Sequence, residues 1–391
     1  MSFTISKTLP PLTDEDEPKP APGAKQDAGG AEGKTAERKP LSDFRVNHSD
    51  TLGMSWQEID ALRPPYVIDQ FIRRGEVMLL GAESKSRKSW LAQDAGIAVA
   101  AGLPWLANED GGDGFATAQA RVHVLDLELN PSEMRFRFAK ARGNRFADSP
   151  ESAAAVTSGI AAYSFDGMNV VDILPRIEEV KPTVRPGDLV IVDCLYRLVP
   201  DGNEVAEVAG ILETVKRFAS ETQAGVIVVD HFRKAGDDKA RNRFAGSFVK
   251  QAAASTLVAI EVGADGTLNM HIDARTFHSV PTVYAAFNVD SYAFNRIPEA
   301  DIEADRQGRA QAEAEGWIVR IWKSRPLAFA SGNADGVEKW TLSRQGATKR
   351  FEKLERLQLV APMAVKTGQA NQWILTEKGM EIVKVALQLH P

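Results

Sequence analysis

A single cysteine, Cys194, stands in the 391 residues, and that scarcity excludes an internal disulfide framework and a cysteine-ligated zinc cluster. Long apolar runs are missing too. The longest weakly polar stretch, Ala95 to Ala107, is broken by Gly96, Gly102 and Pro104 and is too short to span a bilayer, so no membrane partner is expected. Met1-Ser2-Phe3-Thr4 has no basic segment leading into an apolar core, so no secretory leader is expected and the cytoplasm is the expected compartment. Positive charge is not in excess. The net charge of −6 argues against a chain that coats nucleic acid over its whole surface and leaves room for a local basic face. Residues 1–50 have almost no aromatic or β-branched residues and are rich in Pro, Gly, Ala, Lys and Glu; such a segment buries too little apolar surface to offset chain entropy and is expected to be a disordered tail. The chain as a whole, 43% apolar and 26% charged, is ordinary globular material with length for two domains.

What is present is organised around Gly81-Ala82-Glu83-Ser84-Lys85-Ser86-Arg87-Lys88-Ser89, followed by Trp90. An apolar strand-like run, Val77 to Leu80, precedes it and a helix-like run to Ala101 follows. Strand, small-residue loop, Lys-Ser, helix is the context of a phosphate-binding loop. Backbone N–H groups of residues 82–90 and the helix N-terminus would face the phosphates, Lys88 would neutralise the terminal ones, and the Ser89 hydroxyl would hold Mg²⁺. In the pattern G-x-x-x-x-G-K-[ST] the two glycine positions are filled by Ala82 and Arg87. Starting one residue earlier puts Arg87 in the lysine slot and Lys88 in the hydroxyl slot, which leaves no metal ligand, so the first register is preferred. Glycine is favoured at such positions because it reaches positive φ, and replacing it costs on the order of 1 kcal/mol.

The rest of the chain reads as strands alternating with helices. Trp56, Ile59 and Leu62 suggest a short helix ended by Pro64-Pro65. Arg121 to Leu129 reads as a buried strand ending in acids, with a helix from Pro131 to about Arg142. Val170 to Val180 reads as helix, Asp188 to Asp193 as a buried strand, Val205 to Ser220 as helix, and Gly225 to His231 as another buried strand. This alternation predicts an α/β fold with a parallel, doubly wound sheet, whose ligands sit beyond the carboxyl ends of the strands. A charged loop with Arg233, Lys234, Arg241 and Arg243 follows, then a small-residue helix (245–254) and antiparallel strands at 257–261, 267–272 and 282–287.

Hydrolysis of a nucleoside triphosphate needs Mg²⁺ against the β- and γ-phosphates and a group to orient the attacking water. Asp193, closing one apolar strand, is placed for Mg²⁺. Glu128 is the preferred water-polarising acid over its rival Asp126, because it lies nearer the strand tip. His231 is placed to sense the γ-phosphate. Arg233, Lys234, Arg241 and Arg243 suit either an arginine finger reaching a neighbouring subunit or a basic loop lining a nucleic-acid channel.

Residues 300–315 read as a polar connecting helix. Trp317, Ile318, Ile321 and Trp322 then mark an apolar helix face. From Ser343 to Leu357 a helix carries Arg344, Lys349, Arg350 and Lys353 on its polar side, and two short strands flank a 366–371 turn before a last helix from Thr376. This order is a winged-helix pattern. Residues 341–391 hold eight Lys/Arg against four Asp/Glu, opposite in sign to the whole chain, which points to duplex DNA as a partner.

Four motifs in order, Leu80 to Ala92, Leu125-Asp-Leu-Glu128, Val190 to Leu198 and Asp230-His-Phe-Arg-Lys234, together resemble the RepA-like ATPases, RecA-fold, AAA-type proteins related to plasmid hexameric replicative helicases. The resemblance covers roughly residues 56–296. It implies a RecA/DnaB-type P-loop NTPase core, ATP with Mg²⁺, a homo-oligomeric ring such as a hexamer, and single-stranded DNA in the central channel. Carried over, Lys88 and Ser89 match the end of the Walker A motif, Asp193 the Walker B acid, Glu128 the catalytic glutamate and His231 the polar sensor. Arg87 departs from it, since the family's helicases usually have glycine there. The expected organisation is a tail (1–50), an ATPase domain (51–298), a linker helix (299–316) and a winged-helix domain (317–391). The expected function is an ATP-hydrolysing, DNA-acting ring protein of a plasmid or other mobile element. A DNA-binding regulator that uses nucleotide without hydrolysing it is the alternative, and a recombinase-like filament shares the same core.

Overall fold

The computed structural model describes residues 46, 48–108, 112–199, 205–231, 248–275, 280–324, 329–331, 344–363 and 372–387. The basic loop with Arg233, Lys234, Arg241 and Arg243 lies outside the described residues, as do residues 1–45 and the 366–371 turn.

The chain divides into two units, Met1–Ile59 and Asp60–Pro391. In the first, Ser55 and Glu58 form a capping box that starts helix α1 (Trp56–Ala61). The Ser55 N–H donates to the Glu58 carboxylate at 2.7 Å, and the Glu58 N–H donates back to the Ser55 hydroxyl at 3.3 Å.

The second unit opens with a ribbon of β1 (Tyr66–Ile68) and β2 (Ile72–Arg73). Next come β3 (Val77–Ala82), α2 (Lys88–Ala101), β4 (Val122–Asp126), α3 (Pro131–Arg145), α4 (Pro150–Gly159), β5 (Ile160–Ser164), α5 (Val170–Val180), β6 (Leu189–Asp193), α6 (Val205–Thr222) and β7 (Gly225–His231). A short α7 (Phe248–Ala253) leads to β8 (Thr256–Val262), β9 (Leu268–Ala274), β10 (Val283–Asn288) and β11 (Ala293–Ile297). The sheet order is β11-β10-β9-β8-β3-β7-β6-β4-β5. From β8 to β5 every pairing is parallel, and β9, β10 and β11 add an antiparallel margin. The expected mainly parallel α/β sheet is therefore present. β11 was not expected; it pairs with β10 across a short turn.

The central strands read as unbroken apolar runs because both faces of the sheet are covered. Leu80, Ile191, Ile227 and Val229 face the layer that contains α2, while Leu79, Val190, Val192, Val226 and Val228 face the opposite layer with α5 and α6. Helix α2 is buried on almost every side, which explains the small and apolar run from Ala95 to Ala101, while Gln93 and Asp94 are buried polar residues in its middle. It lies close on the sheet. A Cβ at Gly96 would stand 3.1 Å from Ile191 Cδ1 and 3.2 Å from Val122 Cγ1.

The stretch expected as a linker helix followed by a separate apolar helix is one helix, α8 (Glu299–Ser324). No Pro interrupts it between Pro298 and Pro326, and its last turns carry the apolar face. Then come β12 (Phe329–Ser331), α9 (Arg344–Arg356), β13 (Val360–Met363), β14 (Gln372–Leu375) and α10 (Glu377–Leu387). β12, which was not expected, pairs with β14, giving the order β12-β14-β13. These elements share their own apolar cluster around Ile318, Phe351, Leu354, Leu359, Trp373 and Val383. Among the described residues no helix is long and apolar enough to cross a membrane.

The close seating of α2 makes Gly96 a test of this packing. Gly96→Leu is expected to destabilise the protein by about 1–3 kcal/mol through overpacking against β4 and β6, read by urea titration. A wild-type midpoint would show that α2 has room to move off the sheet.

Candidate nucleotide site

The loop after β3 ends the central parallel strand, and the chain's next strand, β4, lies three places away in the sheet. Such a crossover opens a crevice at the carboxyl ends of the strands. Lys85 and Arg87 both take left-handed backbone, at φ 65° and 64°. The glycine-like geometry expected at the Arg87 position is therefore real. A side chain there costs about 1–2 kcal/mol, and the Arg87 guanidinium recovers part of this by lying 4.7 Å from the Phe287 ring on β10. Arg87 caps α2 without a side-chain hydrogen bond of its own, and no acid lies in the first turn of the helix. The N–H groups of that turn suit an anion.

Ala82 is fully buried at the end of β3, Glu83, Ser84 and Lys85 are exposed, and Ser86 is buried with a hydroxyl that has no partner among the described residues. Trp90 is half-buried and packs against Tyr292, with ring centroids 5.1 Å apart. Lys88 points into the crevice. Its Nζ is 2.9 Å from His231 Nδ1 and 3.4 Å from the Glu83 carbonyl. Burial lowers the Lys88 pKa, opposed chiefly by the charge of Asp193. Burial and then the Lys88 charge push His231 below the usual histidine range. An ammonium only donates, so the neutral imidazole accepts at Nδ1 and carries its proton on Nε2.

Asp193 ends β6, buried, and a cis peptide joins it to Cys194. Burial raises its pKa to about 7, with the neighbouring Asp126 and Glu128 adding to the rise; a hydrogen bond with Ser89 and the Lys88 charge oppose it. Asp193 Oδ1 has no partner among the described residues. An orphaned buried carboxylate oxygen beside a loop hydroxyl fits a hard, oxygen-seeking divalent cation. Ser89 and Asp193 would hold Mg²⁺ here.

β4 ends at Asp126, so Glu128 does not close a strand as expected; it projects from the bend that follows. Asp126 makes that bend. Its buried Oδ1 accepts from the backbone N–H of Glu128 at 2.9 Å and of Leu129 at 2.8 Å. The rival acid thus shapes the turn, and Glu128 is the one exposed to the crevice. Its Oε1 accepts the hydroxyl of Tyr196.

Loop residues 84–90, Glu128 and His231 line one cleft of about 650 Å³. Two further lining residues, Arg137 and Tyr196, escaped the sequence reading. Arg137 sits one helical turn after Glu133, which it bonds at 3.2 Å, and its guanidinium lies 5.1 Å from the Trp90 ring. Its signal was an arginine on the helix that starts beside the Glu128 bend. Tyr196 was signalled only by a polar tip in the apolar run Leu195 to Val199.

The basic residues of α9 lie elsewhere. Arg344 opens the helix and Lys349 is exposed. Arg350 and Lys353 are instead both paired with Glu313 of α8, Lys353 at 2.8 Å, and Arg350 also lies 4.5 Å from the Trp317 ring. Two of the four expected DNA contacts therefore hold α9 against α8.

Asp193 makes stability depend on pH. Below about pH 4 it is protonated in both folded and unfolded chains; between about 4 and 7 the unfolded chain ionises while the folded site keeps its proton, so stability falls as pH rises and stays low above that window. Without nucleotide or Mg²⁺, Asp193→Asn is expected to flatten this decline in denaturant titrations. Equal slopes for the two proteins would contradict it.

No curated protein matches the chain. Residues 47–237 match the family model described as an AAA domain, and this match, spanning the loop, Glu128, Asp193 and His231, supports an AAA-type, nucleotide-dependent ATPase.

Proposed function

We propose that the protein is an ATP-hydrolysing, DNA-acting ATPase that assembles into a ring, of the kind used in replication of plasmids or other mobile elements. The observation that carries the ATPase part is the convergence of Lys88, Ser89 and Glu128 on one cleft at the carboxyl ends of parallel strands, with the buried Asp193 carboxylate at the tip of β6 beside Lys88 and Ser89. Lys88 leaves His231 to bind the terminal phosphates. Mg²⁺, which Ser89 and Asp193 would hold, would supply charge neutralisation to the phosphates. Water attacks the γ-phosphorus while the bond from that phosphorus to the bridging oxygen of the departing ADP breaks, Glu128 accepts the proton of the water, and the backbone N–H groups of the loop hold the phosphate oxygens. His231, released from Lys88, reports the state of the γ-phosphate. The loop with Arg233, Lys234, Arg241 and Arg243 would reach a neighbour's nucleotide or a single strand in the ring.

The DNA part is supported by the sign reversal of residues 341–391, by the basic helix α9 with Lys349 exposed, and by the helix–strand–strand–helix order expected of a winged helix. A second reading, a regulator that binds DNA and nucleotide without turnover, is favoured by one observation: Arg87 occupies a left-handed position that helicases of the resembling family fill with glycine.

Phosphate release by the purified protein, with and without single-stranded DNA, separates the readings. Turnover stimulated several-fold by DNA is expected; binding without turnover would favour the regulator. Lys88→Ala is expected to abolish ATP binding, and Glu128→Gln to keep binding while losing at least about a hundredfold in turnover. Full turnover by Glu128→Gln would remove Glu128 from the reaction.

A further inference from the structure

Glu128 projects from a bend on the open side of the cleft, where a carboxylate on a flexible stem would sample many orientations. Something must hold it for it to act as a base on one water. The residues that do so belong to the turn after β6. Leu195–Leu198 forms a single 3-10 turn whose Leu195 and Leu198 side chains are buried, and the Arg197 Nε donates to the Leu127 carbonyl at 3.2 Å. The turn is thus tied to the bend that carries Glu128. Tyr196, between these anchors, points the other way and is 42% exposed in the cleft.

We propose that Tyr196 is the positioning residue of the hydrolytic step: its hydroxyl holds the Glu128 carboxylate, and its ring holds His231, the partner of Lys88. The phenol donates to Glu128 Oε1, which leaves Oε2 to accept from water. The ring meets His231 edge-on, with centroids 4.9 Å apart at 73°. One side chain therefore touches both the acid that takes the proton and the imidazole that holds the phosphate-binding lysine. Burial and the bond to Glu128 both push the Tyr196 pKa up, which keeps the phenol a donor at working pH. A tyrosine kept only for packing would bury its ring, and this one leaves it in the cleft.

The inference rests on the ATPase reading, and the experiment separates the two. Steady-state phosphate release by the full chain is compared for the wild type, Tyr196→Phe and Tyr196→Ala, with affinity for a fluorescent ADP analogue measured in parallel. Tyr196→Phe keeps the ring and loses the hydroxyl; it is expected to lower kcat about tenfold, the loss of one hydrogen bond to a charged acceptor, with KM and ADP affinity unchanged. Tyr196→Ala, which removes the ring beside His231 as well as the hydroxyl, is expected to lower kcat at least as much. In a Glu128→Gln background, Tyr196→Phe is expected to cost nothing further in the residual rate. Wild-type kcat in Tyr196→Phe, or an undiminished loss on top of Glu128→Gln, overturns the assignment of Tyr196 while leaving the ATPase reading intact. A wild type that releases no phosphate overturns both.

Discussion

The buried carboxylate of Asp193 is the constraint on which the site depends. It lies side by side with Asp126 in the register of β6 and β4, and Glu128 stands two residues beyond. Asp126, Asp193 and Glu128 crowd this end of the sheet, and Lys88 is the ammonium beside Asp193 and Glu128. Ionising Asp193 in that setting is unfavourable until a cation arrives. The fold shows this as a pKa pushed up to about 7 and a buried oxygen with no partner among the described residues. One pKa unit is about 1.4 kcal/mol of differential interaction. Holding Asp193 in this setting therefore costs the folded chain stability once the unfolded chain ionises, and a divalent cation bound there would offset that cost.

The phosphate loop shows the same balance in backbone form. Arg87 sits at φ 64° where glycine would be unstrained, yet its side chain does not crowd the loop, because it turns outward onto Phe287. A penalty of about 1–2 kcal/mol is small beside the apolar burial that fixes β3 and α2 on either side. The loop is strained locally and secured globally. Its lysine is meanwhile satisfied by His231 and a backbone carbonyl, so the buried ammonium does not stand unpaired.

The C-terminal elements obey a separate logic. Their apolar cluster is built around Ile318, Phe351 and Trp373, and the long helix α8 belongs to it through its last turns. The N-terminal part of α8 meets the sheet margin instead: Arg309 bonds Asp265 at 2.9 Å, and Arg306 lies 5.4 Å from the Tyr284 ring. A single helix thus serves two packed regions. Glu313, in its middle, takes Arg350 and Lys353, so part of the positive charge that looked available for DNA is neutralised within the protein.

Periodicity and strand-end chemistry determined most of the core from sequence alone. Apolar runs covered on both faces announce the parallel strands, and Lys88, Ser89, Asp193, Glu128 and His231 all follow from their places at or near the strand tips. The alternation also separated the basic tail from the acidic whole. Other features were decided only in three dimensions. Asp126 and Glu128 differ by two positions and have the same charge; only the backbone bonds to Asp126 Oδ1 show that one builds the bend and the other enters the cleft. The partnerships of Tyr196 with Glu128 and of Arg350 with Glu313 join residues 68 and 37 positions apart. Local pattern reports which face of an element is apolar, and it carries no information about which distant polar groups meet once those faces are buried.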